Sequence, residues 1–367
     1  MSLFDLFVPE TRSFPGKLNA RAQATNYRRL FLLIVFDFII GSDFCKEASC
    51  WNGFRDIFSS LMKVLVMPHA AHATAIARAP LKSVVNVSSV PQRSPFRYPG
   101  GKTWLVPLVR QWLRSLPRKP ALLVEPFAGG AIVGLTAGFE NLATKVLLVE
   151  LDQDVASVWD TVLSRDASKL ASRIRKFQFS KTSVASALAT PPRTRLDRAF
   201  QTILRNRVQH GGIIAPGASL MKLGENGNGL KSRWYPETLY RRILAAAELR
   251  SQIEFSYGDA LWFITKYRKR KTCALFIDPP YTVTGRRLYR HSDLDHARLF
   301  RILAESRCEF LMTYDNSAEI QELAKENSFD YEEVLMQGRL NCKKSELIIG
   351  RDLAWARTEK TTSLPFL

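Results

Sequence analysis

An apolar run that ends in an acid and two consecutive prolines constrains this chain more than any other feature. The run Cys273–Ile277 is followed by Asp278-Pro279-Pro280-Tyr281. Five apolar residues in a row predict a buried strand, and the prolines end it because proline fixes φ and lacks a backbone donor. The sequence therefore predicts a strand of an open α/β sheet that delivers Asp278 to the carboxyl edge, where ligands bind in such sheets.

The residues after this strand suit a reaction at an amine. Asp278 and the carbonyl of Pro279 can accept hydrogen bonds from an amino group and so orient its lone pair. The ring of Tyr281 can stack on a base that has been taken out of a duplex. The alternative is a strand that ends in a Pro-Pro turn, with Asp278 as a local cap.

Three further features favour the chemical interpretation. Glu125-Pro-Phe127-Ala-Gly129-Gly130 follows an apolar run at 121–124 and precedes a helical pattern at 131–139, and its glycines allow a small molecule to approach the backbone closely. The motif differs from the dinucleotide fingerprint, so the cofactor need not carry a pyrophosphate. Glu150 ends the next strand and can bind ribose hydroxyls, while Asp259 ends a later one and can accept from an adenine amine.

Alternating apolar and helical patterns predict a largely parallel sheet wrapped by helices. Further strands are predicted at 145–149, 253–257, 309–313 and 346–349, with a helix at 154–163. The alternation stops between 181 and 250, a stretch rich in arginine, glycine and aromatic residues. We therefore predict a catalytic domain at 93–180 and 251–357, a target-recognition insertion at 181–250, and an N-terminal extension with a linker at 1–92.

The charge balance indicates a polyanionic partner. Lys and Arg total 53 against 34 Asp and Glu, a formal net charge of +19. Such a field favours nucleic acid over most protein substrates. Basic side chains of the insertion can contact guanine edges or phosphates. The candidates for DNA binding are Arg205, Arg207, Lys231 and Arg233, and the alternative is an ordinary basic surface loop.

Residues 1–92 carry no chemical motif. The apolar run at 30–40 is shorter than the roughly 20 residues of a membrane span and contains Asp37, so we expect a buried helix or strand. Met62 and Met67 precede an Ala-, Ser- and Val-rich linker that begins at His69, and translation could begin there. Five cysteines with no Cys-x-x-Cys pair fit a reducing cytoplasm, and no metal site is expected.

The segment Arg97-Tyr-Pro-Gly-Gly101-Lys102-Thr103 contains the Gly-Lys-Thr of a phosphate-binding loop. The full pattern requires a glycine five positions before Gly101, where Phe96 stands. An NTPase is therefore disfavoured.

Taken together and in order, three motifs resemble the Dam-like, alpha-type family of adenine-N6 DNA methyltransferases. They are Tyr98-Pro-Gly-Gly-Lys102, Glu125-Pro-Phe-x-Gly-Gly130 and Asp278-Pro-Pro-Tyr281. The resemblance covers about 94–351 and implies a Rossmann-like S-adenosylmethionine-dependent methyltransferase fold with an inserted, mainly helical target-recognition region. The implied reaction moves a methyl group from S-adenosyl-L-methionine to the N6 amine of a flipped adenine in double-stranded DNA.

The resemblance also implies roles for single residues. Those implied to bind the cofactor are Tyr98, Lys102, Phe127, Gly129, Glu150 and Asp259. The implied catalytic residues, which would bind the flipped adenine, are Asp278, Pro279, Pro280 and Tyr281, and 343–349 resembles the late strand of the family. Two departures are mild: Ala131 and Ile132 follow the glycines, and Glu150 replaces the commoner Asp.

Two other interpretations stay open at this stage. One is a methyltransferase acting on RNA or on a protein amide, although Asp rather than Asn at position 278 favours adenine by resemblance. The other is a catalytically silent DNA-binding protein, which would bind DNA without any affinity for S-adenosylmethionine. No stable protein partner and no membrane role are expected.

Overall fold

The computed structural model describes residues 89–98, 100–214, 217–224, 227–281, 293–337 and 343–357. The predictions for the apolar run at 30–40, for Met62 and Met67 as alternative starts, and for most of the extension therefore lie outside the described residues. Everything described below belongs to one compact unit, Ala79–Leu367.

A seven-stranded sheet forms the centre of this unit. Its strands are β1 Leu122–Glu125, β2 Lys145–Glu150, β3 Ile253–Tyr257, β4 Cys273–Ile277, β5 Glu309–Asp315, β6 Asp330–Gln337 and β7 Lys343–Gly350. Their spatial order is β3-β2-β1-β4-β5-β7-β6. The first five strands run parallel, whereas β7 is antiparallel to both β5 and β6.

Helices connect and cover the strands. They are α1 Val106–Ser115, α2 Ile132–Phe139, α3 Gln153–Val162, α4 Ala167–Lys176, α5 Lys181–Ala189, α6 Arg195–Val208, α7 Pro236–Glu248, α8 Ala260–Tyr267, α9 His296–Ala304, α10 Ala318–Glu326 and α11 Ala354–Arg357. Short 3-10 turns lie at Lys102–Leu105, His210–Gly212, Gly229–Arg233 and Leu249–Ser251. No helix among the described residues is long and apolar enough to cross a membrane.

The inner strands β1, β2, β4 and β5 are buried on both faces, which explains why they are largely continuous apolar runs. The edge strand β3 instead alternates apolar with polar residues. Neighbouring residues of a strand point to opposite faces. Accordingly, Leu123 joins a core cluster with Trp159 and Phe200, while Val124 joins a second cluster with Phe300. The first cluster is covered mainly by helices that precede β3, and the second by α8, α9 and α10.

The Rossmann-like α/β fold predicted from the sequence is confirmed. The strands expected at 145–149, 253–257, 273–277 and 309–313 are present within two residues of the predicted bounds, and the helix expected at 154–163 is α3. The edge strand β6 was not predicted. Its alternation of acids with apolar residues, DYEEVLMQ, lacks the long apolar run that marks the buried strands.

The inserted region is mainly helical, as predicted, and it shares the core of the sheet. Phe200 and Ile203 of α6 and Leu239 of α7 are buried in the cluster that also holds Leu123. This packing explains the apolar residues at helical spacing within the Arg-rich stretch. The boundary of a separate recognition domain at 181–250 stays a prediction.

Candidate active site

Most of the residues predicted to bind the cofactor or to act in catalysis meet in one cleft at the carboxyl edge of the sheet, whereas Pro279 and Tyr281 do not line it. The cleft has a volume of about 260 Å³ and lies where β1, β2 and β4 end. Every residue predicted to bind the cofactor lines it, together with Asp278 and Pro280; these are Tyr98, Lys102, Phe127, Gly129, Glu150 and Asp259. Parallel strands bring their carboxyl ends to one edge, so motifs about 180 positions apart become neighbours. The individual binding roles stay predictions.

Gly129 links two of the sequence motifs. Its φ is +44°, and a Cβ placed there would lie 2.6 Å from the ring of Tyr98. The indole Nε1 of Trp159 donates to the Gly129 carbonyl at 2.8 Å. Because any side chain would displace the Tyr98 ring, the glycine is required by contact within the protein as well as by the backbone conformation.

Glu150 fastens the same turn. Its carboxylate accepts hydrogen bonds from the backbone N–H of Gly129 at 2.9 Å, of Leu151 at 2.8 Å and of Asp152 at 2.9 Å. Burial raises the pKa of Glu150 to about 7, and these donors only partly oppose the shift. Glu150 is therefore a partly buried acid whose pKa is raised to near neutral.

Asp259 lines the cleft just after the end of β3, the strand that pairs with β2. It is exposed and precedes α8, where its Oδ1 accepts from the backbone N–H of Trp262 at 2.8 Å. This contact is an N-cap that fixes the start of the helix. The cap leaves the other carboxylate oxygen available.

Glu125 is a buried acid for which no individual role was predicted. It is 3% exposed, and its Oε2 accepts from the N–H of Gly134 at 2.7 Å. A Cβ at position 134 would lie 2.6 Å from that same oxygen, so the glycine admits the carboxyl group to the helix. Burial, with a smaller effect of the Asp278 charge, raises the pKa of Glu125 to about 8.

Asp278 follows β4 and is held through one of its two oxygens. Its Oδ1 lies 2.9 Å from Lys102 Nζ and accepts from the Thr313 hydroxyl at 2.8 Å, and the Tyr281 hydroxyl oxygen lies 3.4 Å away. Within the described ranges, Oδ2 takes part in no hydrogen bond or ion pair. One oxygen is thus anchored and the other can accept from a ligand.

Lys102 is 2% exposed and carries the central positive charge of the site. Its Nζ donates to the Gly100 carbonyl at 2.8 Å and lies 3.6 Å from Glu346 Oε2, in addition to its contact with Asp278. Burial lowers the pKa of Lys102, but Asp278 and Glu346 more than offset this effect and raise it above the usual value. Lys102 therefore remains an ammonium group.

Tyr281 turns its hydroxyl into the protein. The hydroxyl donates to Glu346 Oε2 at 2.9 Å, and the ring stacks on Tyr314 with centroids 5.9 Å apart. Burial and the nearby carboxylates raise its pKa, so the hydroxyl stays protonated. Lys102 Nζ lies 5.1 Å from the centroid of the Tyr281 ring.

Sequence reasoning assigned no role to Thr313 or Glu346. Both reach the site because of the sheet: β5 is parallel to β4, and β7 is reversed, so an early residue of β7 lies at the carboxyl edge. The available signal was a lone acid inside an apolar strand, Glu346-Leu-Ile-Ile349. Such an acid is expensive to bury without a partner.

The four predicted DNA-binding residues differ in exposure. Lys231 is exposed, whereas Arg207 and Arg233 are 6% and 7% exposed. Arg205 Nη1 lies 2.9 Å from the buried Asp154 of α3, which also pairs with Arg198 at 3.0 Å. DNA binding stays a prediction for all four, and its ion pair with Asp154 gives Arg205 a structural role within the protein.

Side chains of the insertion hold the backbone that leads to Tyr98. Arg207 donates to the Pro95 carbonyl, and Arg242 to that of Ser94 at 3.1 Å. Asn206 is fully buried: its Oδ1 accepts from the Arg97 N–H at 2.8 Å, and its Nδ2 donates to the Arg97 and Gly212 carbonyls at 3.1 Å and 2.8 Å. The insertion thus braces one wall of the cleft.

Among the residues that the structure describes, no group of three or more His, Cys, Asp or Glu side chains is placed to hold a metal ion. The free cysteines described, Cys273 and Cys308, are buried.

Comparisons with known proteins point to methyltransferases. The chain is 26% identical over 281 residues to a DNA N-6-adenine-methyltransferase of Escherichia phage P1, across 71% of this chain and 35% of the relative. It therefore spans about a third of that relative's length. This similarity supports the resemblance to adenine-N6 DNA methyltransferases that the motifs indicate. No family model matches the chain.

Comparison with solved structures gives matches of low identity and low TM-score. A SAM-dependent methyltransferase from Agrobacterium tumefaciens has 12% identity and a TM-score of 0.32, covering 68% of this chain and 61% of its own. An rRNA methyltransferase, aviRa, from Streptomyces viridochromogenes has 14% identity and a TM-score of 0.34, covering 73% and 94%. The strand order and the reversed β7, together with the motifs, define the fold as a Rossmann-like S-adenosylmethionine-dependent methyltransferase fold.

Proposed function

We propose that this protein uses S-adenosyl-L-methionine to methylate the N6 amine of an adenine flipped out of double-stranded DNA. One observation carries the proposal: the glycine turn with its acids and the Asp278 network line a single cleft. A cofactor in the glycine half of that cleft would be next to an amine held by Asp278. The curated relative is a DNA adenine methyltransferase, which supports the same substrate.

The residues of the cleft fit a nucleoside cofactor. A carboxylate has about four acceptor positions. Three backbone N–H groups donate to the carboxylate of Glu150, so one position is left to accept from a ribose hydroxyl. Asp259 uses Oδ1 for its helix cap, so its other oxygen can accept from an adenine amine. Phe127, half-buried against the core, offers an apolar surface for the cofactor.

The bound cofactor would supply a methyl group already activated by a sulfonium centre. Asp278 Oδ2 and the Pro279 carbonyl would accept hydrogen bonds from the N6 amine and fix its direction of attack. As methyl transfer proceeds, positive charge develops on this nitrogen. With both carboxylates ionised, the group of Lys102, Asp278 and Glu346 carries a net charge of −1 and stabilises that positive charge.

Lys102 is excluded as the proton acceptor in this scheme, because its neighbours raise its pKa and keep it charged. Tyr281 likewise stays protonated and donates to Glu346. The proton released from N6 therefore passes to Asp278 or to water. The basic chain would supply the binding energy that base flipping requires.

Methyl transfer to purified nucleic acid tests the proposal. The full chain is incubated with isotope-labelled S-adenosylmethionine and duplex DNA from a host that lacks adenine methylation, and the nucleosides are then analysed by mass spectrometry. We expect labelled N6-methyladenine in DNA from the wild type and almost none from Asp278→Ala. Label found only in a parallel RNA sample would replace DNA by RNA as the substrate, and cofactor binding without any transfer would contradict the proposal.

A further inference from the structure

Glu346 is a buried acid that no sequence motif assigned to the site. It lies on β7, opposite Asp315 of β5 and Val334 of β6, and it is 8% exposed. Among the described residues, its Oε2 accepts a hydrogen bond from the Tyr281 hydroxyl at 2.9 Å and forms an ion pair with Lys102 Nζ at 3.6 Å. A carboxylate buried this deeply loses hydration free energy, which these two partners must offset.

The same two partners also reach Asp278. Lys102 Nζ is 2.9 Å and the Tyr281 hydroxyl 3.4 Å from Asp278 Oδ1. An ammonium has three donors, which here match the Gly100 carbonyl, Asp278 and Glu346. The donors of the site are therefore shared between two carboxylates. Glu346 accepts from the Tyr281 hydroxyl and lies beside the Lys102 ammonium, whereas Oδ1 of Asp278 contacts Lys102 and the Thr313 hydroxyl.

Loss of Glu346 would leave a buried hydroxyl and one ammonium donor without their partner. An unsatisfied buried donor costs about 1–3 kcal/mol, so both groups would shift towards the remaining carboxylate, that of Asp278. Asp278 Oδ2, which forms no hydrogen bond or ion pair with the other described residues of the wild-type site, would then be drawn into contacts with the protein. The amine of the substrate would lose its acceptor without any change in the cofactor half of the cleft.

Building on the proposed function, we infer that Glu346 is a positioning residue: it holds Lys102 and Tyr281 so that Asp278 keeps Oδ2 available for the target amine. Glu346 touches neither substrate nor cofactor in this arrangement. Its action passes through Asp278, so the effect of its loss depends on the presence of that residue.

Two substitutions separate charge from shape. Glu346→Gln keeps the size and an oxygen acceptor for Tyr281 but removes the charge that holds Lys102, whereas Glu346→Ala removes both. We expect kcat for methyl transfer to fall about 10-fold and about 100-fold, as is typical when preorganised polar groups are disturbed. The Kd for S-adenosylmethionine should stay within about twofold of the wild type, since no cofactor contact is lost. Glu333→Gln, a half-buried acid on the adjoining strand, is the matched control and should leave kcat unchanged.

A double-mutant cycle with Asp278→Ala supplies the decisive measurement. If Glu346 acts through Asp278, adding Glu346→Gln to Asp278→Ala should cause no further loss of kcat. A merely structural role would instead lower the melting temperature and add its effect in both backgrounds. Either additive losses or a kcat of Glu346→Gln within twofold of an active wild type would overturn the inference while leaving the proposed function standing. A wild type that methylates neither DNA nor RNA would overturn both.

Discussion

Lys102 at the carboxyl edge and Arg207 in the insertion are both buried cations, but their partners differ in charge. Lys102 lies between the carboxylates of Asp278 and Glu346, which keep its pKa raised. Arg207 donates to the neutral carbonyl of Pro95, and burial together with the neighbouring arginines lowers its pKa to about 10.

This difference in partners indicates a catalytic role for the surroundings of Lys102 and a structural role for Arg207. Around Lys102 the charges are nearly balanced and one carboxylate oxygen is left for a ligand, an arrangement suited to stabilising charge that develops during a reaction. Arg207 and its neighbour Asn206 bond to the backbone at 95–97, which leads into the cleft. Substitutions at the edge should therefore change turnover, whereas substitutions in the insertion should change stability or DNA affinity.

The largest effect is expected at the carboxyl edge. Asp278→Ala should reduce kcat by about 100-fold or more, because it removes an oriented acceptor that acts in the transition state. Calorimetry should show that Asp278→Ala binds S-adenosylmethionine with unchanged affinity. Tyr281→Ala should also leave the affinity for the cofactor unchanged, but it should weaken binding of the extruded base. If Asp278→Ala methylated duplex DNA at nearly the wild-type rate, the assignment of catalysis to the carboxyl edge of the sheet would be wrong.

In the insertion, Asn206→Ala should lower the free energy of unfolding by about 2–4 kcal/mol, because it removes the three hydrogen bonds that the buried amide makes to the backbone of Arg97 and Gly212. Urea denaturation measures this change. Asn327→Ala is the control, since that side chain makes a single bond to the Leu323 carbonyl at a half-buried site and should cost less than about 1.5 kcal/mol. Equal losses for the two variants would show that the insertion is not a brace.

DNA affinity should separate the exposed from the buried cations of the insertion. Lys231→Ala should weaken binding to all sequences alike and reduce the salt dependence by about one counterion, as expected for a phosphate contact. Arg207→Lys should chiefly lower the melting temperature, because a lysine cannot reproduce the guanidinium contact with Pro95. Binding titrations at several salt concentrations test both, and an unchanged salt slope for Lys231→Ala would place that residue outside the interface.

The smallest effect concerns pH. The pKa of Glu150 lies at about 7, so its carboxylate is charged above that pH and becomes protonated below it. Hydrogen bonds to an ionised acceptor are stronger than those to a neutral one. Affinity for S-adenosylmethionine should therefore fall a few-fold between pH 8 and pH 6, and Glu150→Gln should bind weakly with a flatter profile. A steep profile in that variant would assign the titration to another group.

The sequence alone predicted those parts of the fold that depend on local patterns. Continuous apolar runs located β2, β4 and β5, and an alternating run located β3. The residues at the carboxyl ends of these strands line one cleft because parallel strands end at one edge. The edge strand β6 was not predicted, because its acids interrupt the apolar pattern. Two of these acids, Asp330 and Glu332, form ion pairs with Arg357.

The contacts of single side chains could not be predicted in the same way. The role of Glu346 depends on the reversal of β7, which no local pattern specifies. The Arg-rich composition of the insertion indicated a DNA interface, yet burial of Arg207 and Arg233 depends on helices packing against the sheet. A charge count cannot distinguish a buried brace from a surface contact.

Methylation in a living cell tests the central claim most directly. The protein is expressed in a host that lacks adenine methylation, beside an Asp278→Ala variant produced at the same level, and genomic DNA is read by long-read sequencing that detects modified bases. We predict N6-methyladenine at a short recurring sequence with the wild type and an unmodified genome with the variant. An unmodified genome with both, despite a folded wild-type protein that binds S-adenosylmethionine, would contradict the account.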